Sequence, residues 1–265
     1  MKKSVRFWRG NMKKMIILLL LIIVFLGGFL GYSYLLKKQK QYRILACISS
    51  YNRPMFASAQ VLRLLRQSYP VDISISIKGV PQEFVREALL KEWKNEVASG
   101  RVRVRVDENR DQYANLLDTV RDIDLDQYDY FCKIDDDDWY GPDYFKHVNE
   151  WLNKEDGIAI SHTTKNMIVS PGKDGVDVWK NNTPFSGPSM CFSRQMILKA
   201  LELENNPEEG DTLVPDSKLS QRRYRSEDHF LHRLGRVLGK EQVRDTPVWD
   251  LIFGWQYRSI MRPNN

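Results

Sequence analysis

The first half of the chain alternates short apolar runs with segments in which apolar residues recur every three or four positions. The runs have the length of buried β-strands, and the segments between them have the spacing of amphipathic helices. Because a strand–helix–strand unit normally places its two strands parallel, this order predicts an α/β fold with a mostly parallel, doubly wound central sheet flanked by helices. The predicted strands are 42–49, 72–77, 101–106 and 128–134, and the predicted helices between them are 58–67, 81–98 and 113–121.

The second half shows the same alternation less regularly. A polar segment rich in Pro, Asp and Glu, 205–223, is typical of a loop. No internal repeat is present, so the pattern predicts one domain over 44–265. The predicted helices here are 142–152, 194–204 and 226–238, and the predicted strands are 158–161, 167–169, 176–179, 190–192 and 248–253.

The amino-terminal pattern differs from the rest. Residues 1–14 form a basic tail, and residues 15–36 are 22 positions without a charge, rich in Leu and Ile. That length suffices to cross about 30 Å of hydrocarbon, and no signal-peptide cleavage site follows. We therefore expect one transmembrane helix at 15–36, a short linker at 37–43, and a membrane-anchored domain. Gly27, Gly28 and Gly31 leave open a helix-packing face or a bent, re-entrant segment.

The charge is distributed unevenly along the chain. The protein has 40 Lys and Arg against 34 Asp and Glu, but ten of the basic residues and no acid lie in 1–43. The remaining 30 basic and 34 acidic residues give the predicted domain a net charge of −4, which argues against nucleic acid as a partner. Six basic residues precede the apolar segment and four follow it, which favours a cytoplasmic amino terminus. This suits a Golgi-type lumenal enzyme and conflicts with a bacterial inner-membrane enzyme using cytosolic substrates, so the side of the membrane stays open.

The three cysteines, Cys47, Cys132 and Cys191, all fall in apolar strand-like runs. Their number is odd and their spacing fits no zinc site. We therefore expect buried, reduced thiols.

The candidate chemistry lies where the fourth predicted strand ends. The strand 128–134 runs directly into four carboxylates, Asp135 to Asp138, and Gly141 and Pro142 then open the next helix. Ligands of open α/β sheets bind at the carboxyl ends of the strands. Adjacent carboxylates need a cation among them, and Mg²⁺ and Mn²⁺ prefer oxygen ligands. The alternatives are a solvated acidic turn, or acids that only help to start the next helix.

Four motifs together resemble the glycosyltransferases of the GT-A fold, most closely family 2. They occur in the family's order over residues 44 to about 240, and each is weak alone. The resemblance implies a Rossmann-like GT-A domain that transfers a sugar from a nucleotide sugar with the help of Mn²⁺ or Mg²⁺. The motifs are Ser49-Ser50-Tyr51-Asn52-Arg53-Pro54, Asp135 to Asp138 with Pro142-Asp143, Ser186-Gly187 to Arg194, and Ser226-Glu227-Asp228.

The resemblance also implies a role for each motif. Asp137 and Asp135 take the positions of the metal-binding Asp-x-Asp motif, and Asp228, paired with Glu227, takes the position of the catalytic base that makes an inverting transfer. The alternative for Glu227 and Asp228 is helix capping, and for the other motifs it is an ordinary turn. The implied donor-binding residues are Ser50, Tyr51, Asn52, Arg53, Asp135, Asp136, Ser186 and Gly187.

The chain departs from the family pattern at one informative place. The family often ends its second strand with Asp-Asp-Gly, which helps to recognise the nucleotide base, whereas this chain reads Ile77-Lys78-Gly79-Val80. The base, the sugar and the acceptor, whether glycan or lipid-linked, are therefore left open. No Gln-x-x-Arg-Trp motif is present, which argues against a processive polymer synthase. Two rival functions remain: a nucleotidyltransferase, and a membrane-tethered binding module whose acids hold a structural cation.

Overall fold

The computed structural model describes most of the chain after residue 38. Side chains are not described at 86, 88, 165–172, 175–182, 227–229 and 251–253. The chain divides into two compact units, 1–40 and 41–265, and every element below belongs to the second. The described residues are 22, 39–107, 116–163, 165–172, 175–182, 189–215, 227–244 and 251–253.

A seven-stranded sheet forms the centre of the second unit. Its order is β10-β6-β9-β4-β1-β2-β3, and β1, β2, β3 and β4 are mutually parallel. β9 runs antiparallel to both of its neighbours, and β10 is parallel to β6. The predicted α/β fold with a mostly parallel sheet is thus confirmed. The strands are β1 (Ile44–Tyr51), β2 (Asp72–Lys78), β3 (Val102–Asp107), β4 (Tyr130–Asp135), β6 (Ile158–Thr163), β9 (Cys191–Ser193) and β10 (Lys240–Arg244).

Helices cover both faces of this sheet. Alternate residues of β1 show why: Ile44, Ala46 and Ile48 pack into one buried cluster, and Leu45 and Cys47 into the other. The first cluster joins α1, the turns before α3, and α5, and the second joins α4, α6 and α8. The helices are α1 (Pro54–Leu65), α2 (Gln82–Phe84), α3 (Lys94–Ala98), α4 (Leu116–Val120), α5 (Tyr144–Leu152), α6 (Arg194–Asn205), α7 (Pro207–Leu213) and α8 (Glu227–Leu238).

A second, four-stranded sheet has the order β5-β11-β7-β8. β7 and β8 form a long antiparallel hairpin, with Gly172 paired to Gly175 at its end. β5 brings the residues just after the acids into this sheet. The strands are β5 (Trp139–Tyr140), β7 (Lys165–Gly172), β8 (Gly175–Asn182) and β11 (Leu251–Phe253).

Two local predictions were wrong, and one strand was missed. The segment 81–98 is not one α-helix, because it passes through a π-helical turn, Val85–Leu90, and breaks before α3, where Trp93 has φ of −106° and ψ of 21°. Part of the predicted loop 205–223 is α7, which begins at Pro207, a residue suited to the first helical position. The strand β10 was missed, because Lys240–Arg244 is largely polar and lies at the sheet edge beside β6.

The prediction of three reduced cysteines was also wrong. The register of β4 and β9 places Cys132 directly opposite Cys191, and the two form a disulfide. Cys47 is buried and takes no part in the disulfide. The sequence could not reveal this pairing, since the two cysteines are 59 positions apart and meet only through the antiparallel insertion of β9.

Over the described residues, no helix combines the length and apolar character needed to cross a membrane. The predicted span 15–36 falls outside those residues apart from Ile22.

Candidate active site

The acids lie at the carboxyl end of the sheet because β1 and β4 are adjacent and parallel. Ser49 of β1 pairs with Asp135 of β4, so the segments that follow the two strands leave the same edge side by side. The predicted site segments 50–53 and 135–138 therefore meet. This is the edge at which open α/β sheets bind their ligands.

Asp136 is the most buried of the four acids, with 1% of its surface exposed. The hydroxyl of Ser50 donates to its Oδ2 at 2.7 Å, and Arg53 Nη2 lies 2.5 Å from its Oδ1. Burial raises the pKa of Asp136 from 3.8 to about 7; Arg53 and Ser50 oppose the rise, and Asp137 and Asp135 add to it. Asp136 is thus held inside the site rather than solvated.

Arg53 is placed by the turn between β1 and α1. Asn52 takes the left-handed conformation with φ of 52°, and its amide donates to the carbonyl of Lys78 at 2.8 Å. Pro54 then begins α1, so the Arg53 side chain returns over the acids. Its Nη1 donates to Asp137 Oδ2 at 2.6 Å, and its side chain is 30% exposed while that of Asp137 is 2% exposed. One guanidinium therefore joins two buried carboxylates and keeps an open side.

The other two acids are held from different directions. Lys133 Nζ lies 2.7 Å from Asp135 Oδ1, so this lysine pairs with one of the acids. The hydroxyl of Tyr140 accepts from the Asp135 amide at 3.0 Å. Tyr140 is buried, and burial, with Asp138 and Asp135 nearby, raises the pKa of its phenol well above the usual value. Asp138 is itself buried.

One carboxylate oxygen from each of Asp135, Asp137 and Asp138 lies within 4.8 Å of the others. Oxygen donors of this kind suit Mg²⁺ and Mn²⁺. Burial makes the repulsion between the acids costly, and a divalent cation would relieve it. The residues therefore fit the metal that the resemblance implies, with Asp138 added to the predicted pair of Asp135 and Asp137.

The end of β2 supplies the next part of the edge. Tyr51 is in register with Lys78, and Lys78 Nζ lies 2.6 Å from Asp118 Oδ2 on α4. Gly79 has φ of 74°, and a Cβ there would lie 3.2 Å from Cε2 of Tyr51, so the ring rests on the glycine. The place where the family carries Asp-Asp-Gly is thus occupied here by a lysine–aspartate pair beside an aromatic ring.

The remaining predicted residues are described only in part. The backbone of Glu227 and Asp228 forms the first turn of α8, and their side chains are not described. Ser186 and Gly187 lie outside the described residues. α8 packs closely on the sheet, because a Cβ at Gly235 would lie 2.7 Å from Ile160 Cγ2 of β6.

Sequence reasoning missed two neighbours of the acids. Tyr140 lies between the acids and the helix predicted at 142–152 and was given no role, whereas β5 turns it back against Asp135. Trp139 was also given no role, and it is 38% exposed beside the acids. The sequence signal for this short strand is the pair of consecutive aromatic residues, Trp139 and Tyr140, since aromatic residues favour strands.

Comparison with known proteins identifies the fold. No family model matches the chain, and no curated protein matches it by sequence. The structure of Staphylococcus aureus TarS 1-349 with UDP matches at a TM-score of 0.50 and 10% identity, covering 79% of this chain and 60% of that one. The mannosyltransferase PcManGT of Pyrobaculum calidifontis, in complex with GDP-Man and Mn²⁺, matches at a TM-score of 0.52 and 13% identity. This match covers 87% of the present chain and 64% of PcManGT.

The chain thus spans less than two thirds of the length of either of these neighbours. At these identities the comparison concerns the fold. It is the mixed α/β, GT-A fold of glycosyltransferases.

Proposed function

We propose that the protein is a membrane-anchored, metal-dependent, inverting glycosyltransferase. It moves a sugar from a nucleoside-diphosphate sugar to a hydroxyl of a glycan or lipid-linked acceptor. The observation that carries this proposal is the cluster of buried acids at the carboxyl end of β4, joined by Arg53 from β1–α1, within a GT-A fold. A solvated acidic turn would have neither the burial nor the shared guanidinium.

The reaction breaks the bond between the sugar and a diphosphate, so negative charge develops on the leaving phosphates. Asp135, Asp137 and Asp138 would hold the Mn²⁺ or Mg²⁺ that neutralises this charge. The open side of Arg53 offers a second positive group to the phosphates. The amino terminus of α1, which has no acid in its first turn, adds backbone N–H groups that favour an anion.

Ser50 has a positioning role in this scheme. Its hydroxyl holds Asp136, and Asp136 holds one nitrogen of Arg53, so the hydroxyl orients the guanidinium through the carboxylate. Tyr51 and Asn52 continue the same turn toward the end of β2, where the base of the nucleotide would lie against Tyr51 and the Lys78–Asp118 pair. Ser186 and Gly187 are proposed for the donor sugar on the resemblance alone.

The acceptor hydroxyl must lose a proton as it attacks. Asp228 is proposed as the base, with Glu227 beside it, because both lie in the first turn of α8. A helix amino terminus stabilises the ionised carboxylate, which is the form that accepts a proton. A single base opposite the leaving group gives one displacement with inversion at the sugar carbon. The anchor at 15–36 would keep this site near a membrane and its acceptors.

A panel of nucleotide sugars tests the proposal directly. The full chain, purified in detergent, is incubated with UDP-, GDP- and dTDP-linked sugars, with Mn²⁺ or with chelator, and the released nucleotide is identified. The proposal expects metal-dependent release of a nucleoside diphosphate from at least one donor. Exchange of pyrophosphate or release of a monophosphate would instead indicate a nucleotidyltransferase. If no donor releases a nucleotide while the cation is bound and the fold is intact, the result would favour a binding module.

A further inference from the structure

A second group of metal-type ligands lies on the other side of the sheet from α1. His162 of β6, His232 of α8 and Glu241 of β10 each offer one ligand atom, and these three atoms all lie within 4.8 Å of one another. His162 Nε2 is 2.8 Å from Glu241 Oε1, and His232 Nε2 is 2.7 Å from the same oxygen. None of these residues belongs to the acid cluster.

The three residues come from three different elements. His162 is 0% exposed and His232 is 9% exposed, so both rings are held in the interior. The parallel pairing of β10 with β6 brings Glu241 alongside them, and Gly235 lets α8 approach β6 closely enough for His232 to reach the same oxygen. The meeting of these side chains is therefore fixed by the fold.

The geometry is close to that of a bound metal. Zinc binds histidine nitrogen at about 2.0–2.1 Å and carboxylate oxygen at about 2.0–2.2 Å, which puts tetrahedral ligands about 3.4 Å apart. The observed nitrogen–oxygen separations of 2.7 and 2.8 Å need to open by about 0.6 Å to admit the ion. Rotation of the Glu241 carboxylate, whose side chain is 25% exposed, can supply that movement.

The surroundings also suit a metal. Histidine ligands usually donate their second ring nitrogen to a carbonyl or carboxylate, and His162 Nδ1 lies 3.5 Å from the carbonyl oxygen of Thr163. The second oxygen of Glu241 is 3.2 Å from Arg236 Nε, which orients the carboxylate. The Glu241 side chain is 25% exposed, so water can reach it as a fourth ligand.

We propose that His162, His232 and Glu241 form a zinc site, separate from the acid cluster, that ties α8 to β6 and β10. Two imidazoles with one carboxylate suit Zn²⁺ and are softer than the all-oxygen acid cluster, which suits Mg²⁺ or Mn²⁺. The site is structural in effect, because it fixes the helix whose first turn carries Glu227 and Asp228. This inference does not depend on the proposed sugar transfer.

Zinc content of the full chain tests the site without an activity assay. The protein is stripped with chelator, exposed to Zn²⁺ in millimolar Mg²⁺, dialysed, and measured by elemental mass spectrometry. One zinc per chain is expected in the wild type. His232→Ala and Glu241→Gln are each expected to weaken zinc binding about 100-fold or more, since each removes a ligand. The matched control is His147→Ala, because His147 contacts Glu150 on α5 at 3.3 Å and belongs to neither group of metal-type ligands.

Cobalt substitution in the wild type gives a second readout that needs no variant to fold. Co²⁺ at the proposed site is expected to show the intense visible bands of tetrahedral coordination and to be displaced by one equivalent of Zn²⁺. The proposal fails if zinc is lost on dialysis or if Glu241→Gln retains it like His147→Ala. It fails equally if the bound metal disappears in Asp137→Asn and its cobalt spectrum is octahedral, because the ion would then lie in the acid cluster.

Discussion

Replacing Arg53 with methionine tests whether the guanidinium stabilises the buried acids. The change keeps an unbranched side chain of similar length and removes the charge that lies 2.5 Å from Asp136 and 2.6 Å from Asp137. Without Arg53, the largest influence that lowers the pKa of Asp136 is lost, so that pKa rises above about 7. At pH 7.5 Asp136 is then mostly protonated, whereas in the wild type it is mostly ionised.

The size of the effect follows from the pKa values. The pKa of Asp136 is raised from 3.8 in the unfolded chain to about 7 in the folded protein. Its contribution to stability is therefore fully present below pH 3.8 and is lost as pH rises through about 7. At pH 7.5 Asp136 can take up a proton when Arg53 is absent, which limits the penalty of leaving it without a cation. Through Asp136, the loss of Arg53 therefore lowers the free energy of unfolding by only about 1 kcal/mol. At pH 5.5 Asp136 is already protonated, and this part vanishes. Loss of the charged hydrogen bond to Asp137 adds about 1.5 kcal/mol at both pH values.

The free energy of unfolding, measured by urea titration in chelator, provides the assay. We expect Arg53→Met to lower it by about 2–3 kcal/mol at pH 7.5 and by about 1.5 kcal/mol at pH 5.5. Arg66→Met is the control, because Arg66 is exposed just beyond the other end of α1. A loss at both pH values no larger than that of Arg66→Met would refute the coupling between Arg53 and the acids.

Three further predictions concern other parts of the structure. The cysteines should show one reactive thiol per chain in denaturant and three after reduction, whereas three before reduction would rule out the Cys132–Cys191 disulfide. Gly235→Val places a side chain where a Cβ already meets Ile160 at 2.7 Å, so it should cost about 2 kcal/mol in urea unfolding; no loss would show that α8 does not pack this closely. Asp228→Asn should lower kcat about 10²–10⁴-fold with nucleotide affinity unchanged, and near-normal turnover would remove Asp228 as the base.

The part of the fold that the sequence predicted is the part in which local pattern and tertiary role agree. The strands β1 and β4 are central and largely apolar on both faces, so they read directly as buried strands, whereas β2 and the edge strand β3 read as strands from their alternation of apolar and polar residues. Their parallel order follows from the helices between them. The strand pattern also predicted the acids at the carboxyl end of β4, the resemblance added Ser50 and Arg53, and the parallel pairing of β1 with β4 brings both segments to one edge.

Three of the failures originate in contacts between distant segments, and one is local. β10 is an edge strand with a polar sequence, so its pairing with β6 carries no apolar signal. The disulfide depends on the antiparallel insertion of β9, and the histidine cluster depends on three elements that meet only in the folded chain. The π-helical turn Val85–Leu90 keeps the apolar spacing of an α-helix, so periodicity alone did not separate the two.

Nucleotide binding tests most directly whether the acids hold a divalent cation that contacts the phosphates of the donor. Calorimetric titration of UDP and GDP into the full chain, with Mn²⁺ and then with chelator, measures the Kd in each condition. The account predicts that at least one nucleotide binds ten-fold or more tightly with Mn²⁺, by about 1.4 kcal/mol or more, and that Asp137→Asn abolishes this gain. Asp122→Asn, whose side chain is 91% exposed, should retain it. Equal affinities with and without Mn²⁺, or an undiminished gain in Asp137→Asn, would contradict the account.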